Sequence, residues 1–112
     1  MHTVVETPEY LAAAKRAGMT DDERYNAITI ISQRPQAGDV IQGSGGARKV
    51  RIPREGQGKR GGYRVVTYYM DDDTPVYLLT VISKGRQAEL TEDQKKQLKG
   101  DVQDEKKKRR ER

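Results

Sequence analysis

The chain is 112 residues long, contains no cysteine, and is 35% charged and 33% hydrophobic with a net charge of +5. This length fits one domain, the missing thiols exclude a disulfide framework and thiolate metal sites, and no apolar run approaches the ~20 residues that span a bilayer. A charged fraction above the usual ~25% implies a small core under a strongly charged surface, and the N-terminus carries no basic then apolar leader, so a cytoplasmic protein with no membrane partner is expected.

Residues 2–6 read as a short strand. Thr7-Pro8 supplies an N-cap and a first helical residue, and the helix they open, Pro8 to Ala17, stops at Gly18. Thr20 and Glu23 have capping-box spacing and start a second helix, in which Tyr25, Ile28, Ile31 and Ser32 share a face and Pro35 ends the pattern. Residues 36–46 form a glycine-rich connection. A basic strand follows at about 47–52, then strands 62–70 and 76–83, joined through the turn Asp71-Asp72-Asp73-Thr74-Pro75. The last two strands are nearly continuous in apolar residues, the mark of central strands buried on both faces. Thr91 caps a final helix to about Lys99. The order strand-helix-helix-strand-strand-strand-helix gives an α+β fold: a small, mainly antiparallel sheet, its first strand added at an edge, with a helix pair packed on one face. One domain over residues 1–100 and a charged tail at 101–112, expected to fray, complete this reading.

Charge is unevenly placed. Residues 47–70 carry seven cations and one anion, while 1–46 carry four and six. Gly56-Gln57-Gly58-Lys59-Arg60-Gly61-Gly62-Tyr63-Arg64 packs four glycines and three cations into the link between two strands, and it follows Arg48-Lys49-Val50-Arg51-Ile52. Strand alternation sends Lys49 and Arg51 to one face and Val50 and Ile52 to the other, with Arg64 joining the cationic face from the next strand. Arg48 is expected to gather with them, and Lys84 and Arg86 to stand at the rim. Like charges on adjacent strands repel unless an anion offsets them, which points to a phosphate backbone as partner.

Other chemistries fail on residue type. Arg60 follows Lys59 where a phosphate-binding loop needs Ser or Thr, and a strand rather than a helix comes next. His2 is the only histidine and reads as an exposed terminal residue, so no His pair can ligate a metal or share proton transfers. Asp71 to Asp73 sit adjacent on a turn and point apart, so a solvated turn is the plainer reading than a magnesium site. No metal or cofactor is implied.

Gly45-Gly46-Ala47-Arg48-Lys49-Val50-Arg51, Gly58-Lys59-Arg60-Gly61-Gly62-Tyr63-Arg64-Val65, the Asp-rich turn, Val76-Tyr77-Leu78-Leu79-Thr80-Val81-Ile82-Ser83-Lys84 and Ala88-Glu89-Leu90-Thr91 together resemble, in that order, the RelE/HigB family of bacterial toxins, of the RelE/ParE superfamily. The resemblance implies a toxin of a type II toxin–antitoxin system, an endoribonuclease that cuts mRNA on the 70S ribosome without a metal and so inhibits translation. It implies a cognate antitoxin with a helix-turn-helix domain, operator DNA bound only through that antitoxin, and a place in the bacterial cytoplasm. Lys49 and Arg51 match the family's paired basic positions, Arg64 its arginine after Gly-Tyr, and Lys84 or Arg86 its later basic position. Arg48, Lys59, Arg60 and Tyr63 are the accompanying candidates for RNA contact. Thr91 stands about where the best-studied members carry a tyrosine, which leaves the base unassigned by the match.

Cleavage by the 2′-oxygen of RNA needs a base, charge stabilisation at the phosphorane and an acid at the leaving oxygen. Arginine keeps its proton to above pH ~12, so Arg51 and Arg64 suit charge stabilisation and Lys49 is the candidate base. Two alternatives remain: a non-nuclease, ParE-like toxin that blocks DNA gyrase, and an RNA-binding or ribosome-binding module without catalysis. The second lacks Phe and Trp for base stacking.

Overall fold

The computed structural model describes residues 2–54, 62–83 and 92–110. Its elements run β1 (Val4–Glu6), α1 (Pro8–Ala17), α2 (Asp21–Gln33), β2 (Asp39–Val40), β3 (Arg48–Ile52), β4 (Tyr63–Tyr68), β5 (Val76–Ser83) and α3 (Glu92–Arg110). The five strands form one sheet in the order β1-β5-β4-β3-β2. Only β1 runs parallel to its neighbour, so the fold is α+β with a mostly antiparallel sheet, as the sequence implies.

Local chemistry sets the helix ends. Thr7 Oγ1 accepts from the Tyr10 N–H at 3.1 Å and donates to the Leu78 carbonyl at 2.7 Å, so the cap of α1 also fastens it to β5. Gly18 closes α1 in the left-handed conformation at φ 79°. At α2 the full capping box is present: Glu23 N–H donates to Thr20 Oγ1 at 3.0 Å, and Thr20 N–H to Glu23 Oε1 at 2.8 Å. The buried stripe of α2 is Glu23, Ala27, Ile31 and Ser32; Ile31 and Ser32 of the expected face are buried and Ile28 is half-buried against the core, whereas Tyr25 is not part of it. Tyr25 is 74% exposed. Small Ala27 lets the helix approach the sheet, and the dominant stripe follows the i, i+4, i+8 row from Glu23.

Two cores sandwich the sheet. On one face Tyr10, Ala14, Ala27 and Ile31 of the helix pair meet Val50, Ile52, Tyr63, Val65, Val76 and Leu78. On the other, Leu98 and Val102 of α3 meet Ile41, Ala47, Val66, Tyr68, Leu79 and Ile82. A β-bulge allots β5 residues between them. Val66 pairs with Thr80 but Thr67 pairs with Leu78, leaving Leu79 as the extra residue. Alternation turns Val76 and Leu78 toward the helix pair and Tyr77 and Leu79 toward α3, and the one-residue slip then sends Val81 to the helix-pair side and Ile82 to the α3 side.

Three expectations are corrected. The connection 36–46 contains β2, a two-residue edge strand. The final helix does not end near Lys99 with a frayed tail but continues to Arg110, because fully buried Val102 anchors it one turn beyond Leu98. His2 is half-buried, its Nε2 donating to the Thr74 carbonyl at 2.5 Å and its ring edge-on to Tyr69 at 5.3 Å. The Asp-rich turn holds as read: Asp71 Oδ1 accepts from the Asp73 N–H at 2.9 Å and from Thr74 Oγ1 at 3.0 Å.

Candidate nucleic-acid interface

The β3–β4 register builds the site. Directly opposed pairs are Lys49 with Val66, Val50 with Val65, Arg51 with Arg64 and Ile52 with Tyr63. Opposed residues share a face and successive ones alternate, so Lys49, Arg51 and Arg64 lie on the face that α3 partly covers, while Val50, Ile52, Tyr63 and Val65 enter the helix-pair core. Arg64 stands on the middle strand, half-buried between Arg51 and Ile82, which fixes the base of its side chain; Arg51 is exposed. Cβ atoms of directly opposed residues are ~4.5–5.5 Å apart, close enough for like charges to destabilise the pair. None of the three cations ion-pairs with a described residue; salt bridges between described residues join Arg24 to Glu6 and Asp21, and Lys95 to Glu92.

Two glycines hold this surface in shape. A Cβ on Gly62 would come within 2.9 Å of the Ile52 carbonyl oxygen, so only glycine lets the chain enter β4 at this spacing. Gly38 has φ 93° and would place a Cβ 2.3 Å from the Lys49 carbonyl oxygen, so β2 can lie against β3 only with glycine there.

Arg48 and Tyr63 do not join the cationic face. Arg48 alternates away from Lys49, and its Nη1 donates to the carbonyls of Gln36 at 3.2 Å and Gly38 at 3.4 Å. Tyr63 is 1% exposed, with its hydroxyl donating to Glu23 Oε1 at 3.1 Å, so its ring is core and is closed to base stacking. The same alternation that frees Arg64 buries Tyr63. Lys59, Arg60, Lys84, Arg86 and Thr91 lie outside the described residues.

Asp39 was not legible as a site residue. Two-residue β2 sets it opposite Lys49, which puts one exposed carboxylate at the border of the cationic face. A strand this short leaves no periodic signal. A cavity of about 480 Å³, lined by Arg34, Pro35, Gln36, Ala37, Tyr69 and Asp72, opens at the other end of β4 from Arg64 and contains none of the cationic site. Among the described residues no three His, Asp or Glu side chains gather to hold a metal ion.

The family model described as the RelE toxin of the RelE/RelB toxin–antitoxin system matches residues 3–110. The chain belongs to the RelE toxin family. A RelE-family toxin has a cognate antitoxin, and the matched span includes α3 through to its last described residue as well as the whole sheet. No described helix of this RelE-family chain is long and apolar enough to cross a membrane.

Proposed function

We propose that this toxin is a ribosome-dependent mRNA endoribonuclease that inhibits translation, acting by attack of the RNA 2′-oxygen on the adjacent phosphorus. The observation that carries the reading is the directly opposed pair Arg51 and Arg64, unpaired with any described carboxylate, on the sheet face that α3 covers only in part. Two guanidiniums there can contact the non-bridging oxygens of one phosphate and stabilise the charge that grows as the P–O2′ bond forms and the P–O5′ bond breaks. The products are a 2′,3′-cyclic phosphate and a 5′-hydroxyl, the leaving 5′-oxygen taking its proton from water.

Lys49, one step along β3, is the proposed base for the 2′-hydroxyl. Proton transfer by such a group is weak on free RNA, and alignment by the ribosome supplies what the side chains do not, since orientation is worth up to ~7–11 kcal/mol. Lys84 and Arg86 are proposed as further contacts to the reacting strand, and Lys59 and Arg60 as contacts to its backbone. Metal-independent cleavage, a cytoplasmic setting and an antitoxin with a helix-turn-helix domain complete the proposal.

The test is induction in cells with pulse-labelling of protein and DNA, followed by cleavage of mRNA on programmed ribosomes by purified toxin in EDTA. Protein synthesis should stop first, and the mRNA should acquire 2′,3′-cyclic phosphate ends. Loss of replication while translation continues would instead identify a gyrase-directed toxin.

A further inference from the structure

Asp39 is the one carboxylate that a described strand presents on the cationic face. Register sets it directly opposite Lys49, and Ile41, two residues on, enters the core beneath α3 on the same side of the sheet. Glu6, the other acidic residue of a described strand, pairs with Leu78 on the helix-pair side and is answered by Arg24 at 3.0 Å. Asp39 is exposed and makes no salt bridge with a described residue. Its backbone is pinned on both sides. A Cβ on Gly38 would lie 2.3 Å from the Lys49 carbonyl oxygen, so β2 hugs β3 there, and Arg48 Nη1 donates to the Gln36 and Gly38 carbonyls at 3.2 Å and 3.4 Å. Beyond the strand, Ile41 N–H donates to the Ala47 carbonyl at 2.8 Å, and buried Ser44 Oγ accepts from Ala47 N–H at 3.0 Å. Anchors before and after a two-residue strand fix where this carboxylate stands.

That placement works against a surface that only attracts phosphate. Directly opposed Cβ atoms are ~4.5–5.5 Å apart and diagonal neighbours ~7–8 Å, so Asp39 stands close to both Lys49 and Arg51 and repels any phosphate they attract. A carboxylate accepts hydrogen bonds and donates none when ionised. The sugar–phosphate backbone of RNA offers such a group a single donor, the ribose 2′-hydroxyl, and the backbone of DNA offers none.

We propose that Asp39 reads the sugar: it accepts a hydrogen bond from the 2′-hydroxyl of a nucleotide next to the one being cleaved, and so selects RNA over DNA on this face. The attacking hydroxyl belongs to Lys49, one strand nearer the arginine pair. The hydroxyl that Asp39 reads lies farther from the phosphate on Arg51 and Arg64, at the border of the site. That a nucleic-acid strand lies on this face rests on the proposed nuclease function, whereas the role of the carboxylate is tested by binding alone.

The experiment is equilibrium binding, by the full chain at fixed salt, of a short single strand built only of A and C and made both as RNA and as DNA, so that the bases are identical. It compares the parental protein with Asp39→Ala and Asp39→Asn, and circular dichroism verifies each fold. The parental protein should prefer RNA, and Asp39→Ala should lower the ratio of RNA to DNA affinity by about tenfold, the worth of one hydrogen bond to a charged group. Asp39→Asn keeps an acceptor oxygen in place and should retain most of the ratio. DNA binding should not weaken in either variant, because both remove a negative charge. Parental binding of RNA and DNA with equal affinity overturns the proposal. So does an unchanged ratio in Asp39→Ala with both strands bound more tightly, which makes Asp39 a repelling charge at the rim. An equal loss for RNA and DNA places the carboxylate on a base edge and overturns it as well. If the ratio falls as expected while the parental toxin fails to cleave mRNA on programmed ribosomes, Asp39 stands as the sugar reader and the nuclease reading falls.

Discussion

The Tyr63 hydroxyl donates at 3.1 Å to the same Glu23 oxygen, Oε1, that accepts from the Thr20 N–H at 2.8 Å to close the α2 capping box. One carboxylate thus joins the start of α2 to the first residue of β4. The next residue, Arg64, points to the opposite face, so the anchor that holds Tyr63 in the core also fixes where the arginine emerges. Removing the hydroxyl by Tyr63→Phe withdraws a donor from a buried carboxylate and should cost ~1–3 kcal/mol, read from urea unfolding midpoints. Tyr63→Ala adds a cavity and should cost ~3–5 kcal/mol.

Arg64→Ala should lower single-turnover cleavage of mRNA on programmed ribosomes by roughly 10²–10³, the usual effect of losing one transition-state contact. Its melting temperature at low salt should not fall on electrostatic grounds, because the variant relieves like-charge repulsion with Arg51 across the strands. A folded Arg64→Ala protein that cleaves at the parental rate would remove Arg64 from the site.

Gly38→Ala should destabilise the β2–β3 edge, since its Cβ would meet the Lys49 carbonyl oxygen at 2.3 Å from a backbone already at φ 93°. The strain of a non-glycine residue in such a conformation is of order 1–3 kcal/mol before any clash is counted. Amide hydrogen exchange should quicken at Lys49 and its neighbours more than in β5.

Alkaline unfolding should report Tyr10. Burial, with Glu6 adding to it, pushes the Tyr10 phenol up to about 12 from its ordinary 10. Folding therefore holds the proton more tightly than the unfolded chain does; stability from this group is complete below pH 10 and is lost as pH rises from 10 to 12. Tyr10→Phe should flatten that part of the stability–pH profile. It should also stabilise the protein at pH 7, because the Tyr10 hydroxyl is buried with no hydrogen-bond partner among the described residues.

Truncation separates the two readings of the C-terminus. A chain ending at Gln103 keeps Leu98 and Val102, 5% and 0% exposed, and should melt near the parental temperature. A chain ending at Lys99 loses Val102 and should lose ~1.5–3 kcal/mol of apolar burial with it.

The sequence by itself determined what short-range chemistry controls. Thr7, Thr20, Glu23 and Gly18 announce the helix ends because caps act within four residues, and the two-residue period of a strand sends Lys49 and Arg51 away from Val50 and Ile52 whatever the rest of the chain does. The apolar runs of β4 and β5 likewise show central strands. Tertiary structure alone decided which residues meet. The slip at Leu79 puts Ile82 on the α3 side and Val81 on the helix-pair side, β2 brings Asp39 opposite Lys49, and Val102 extends α3 past its expected end. Each depends on register or on burial against residues distant in sequence, and such pairings leave no periodic mark in the segments that make them.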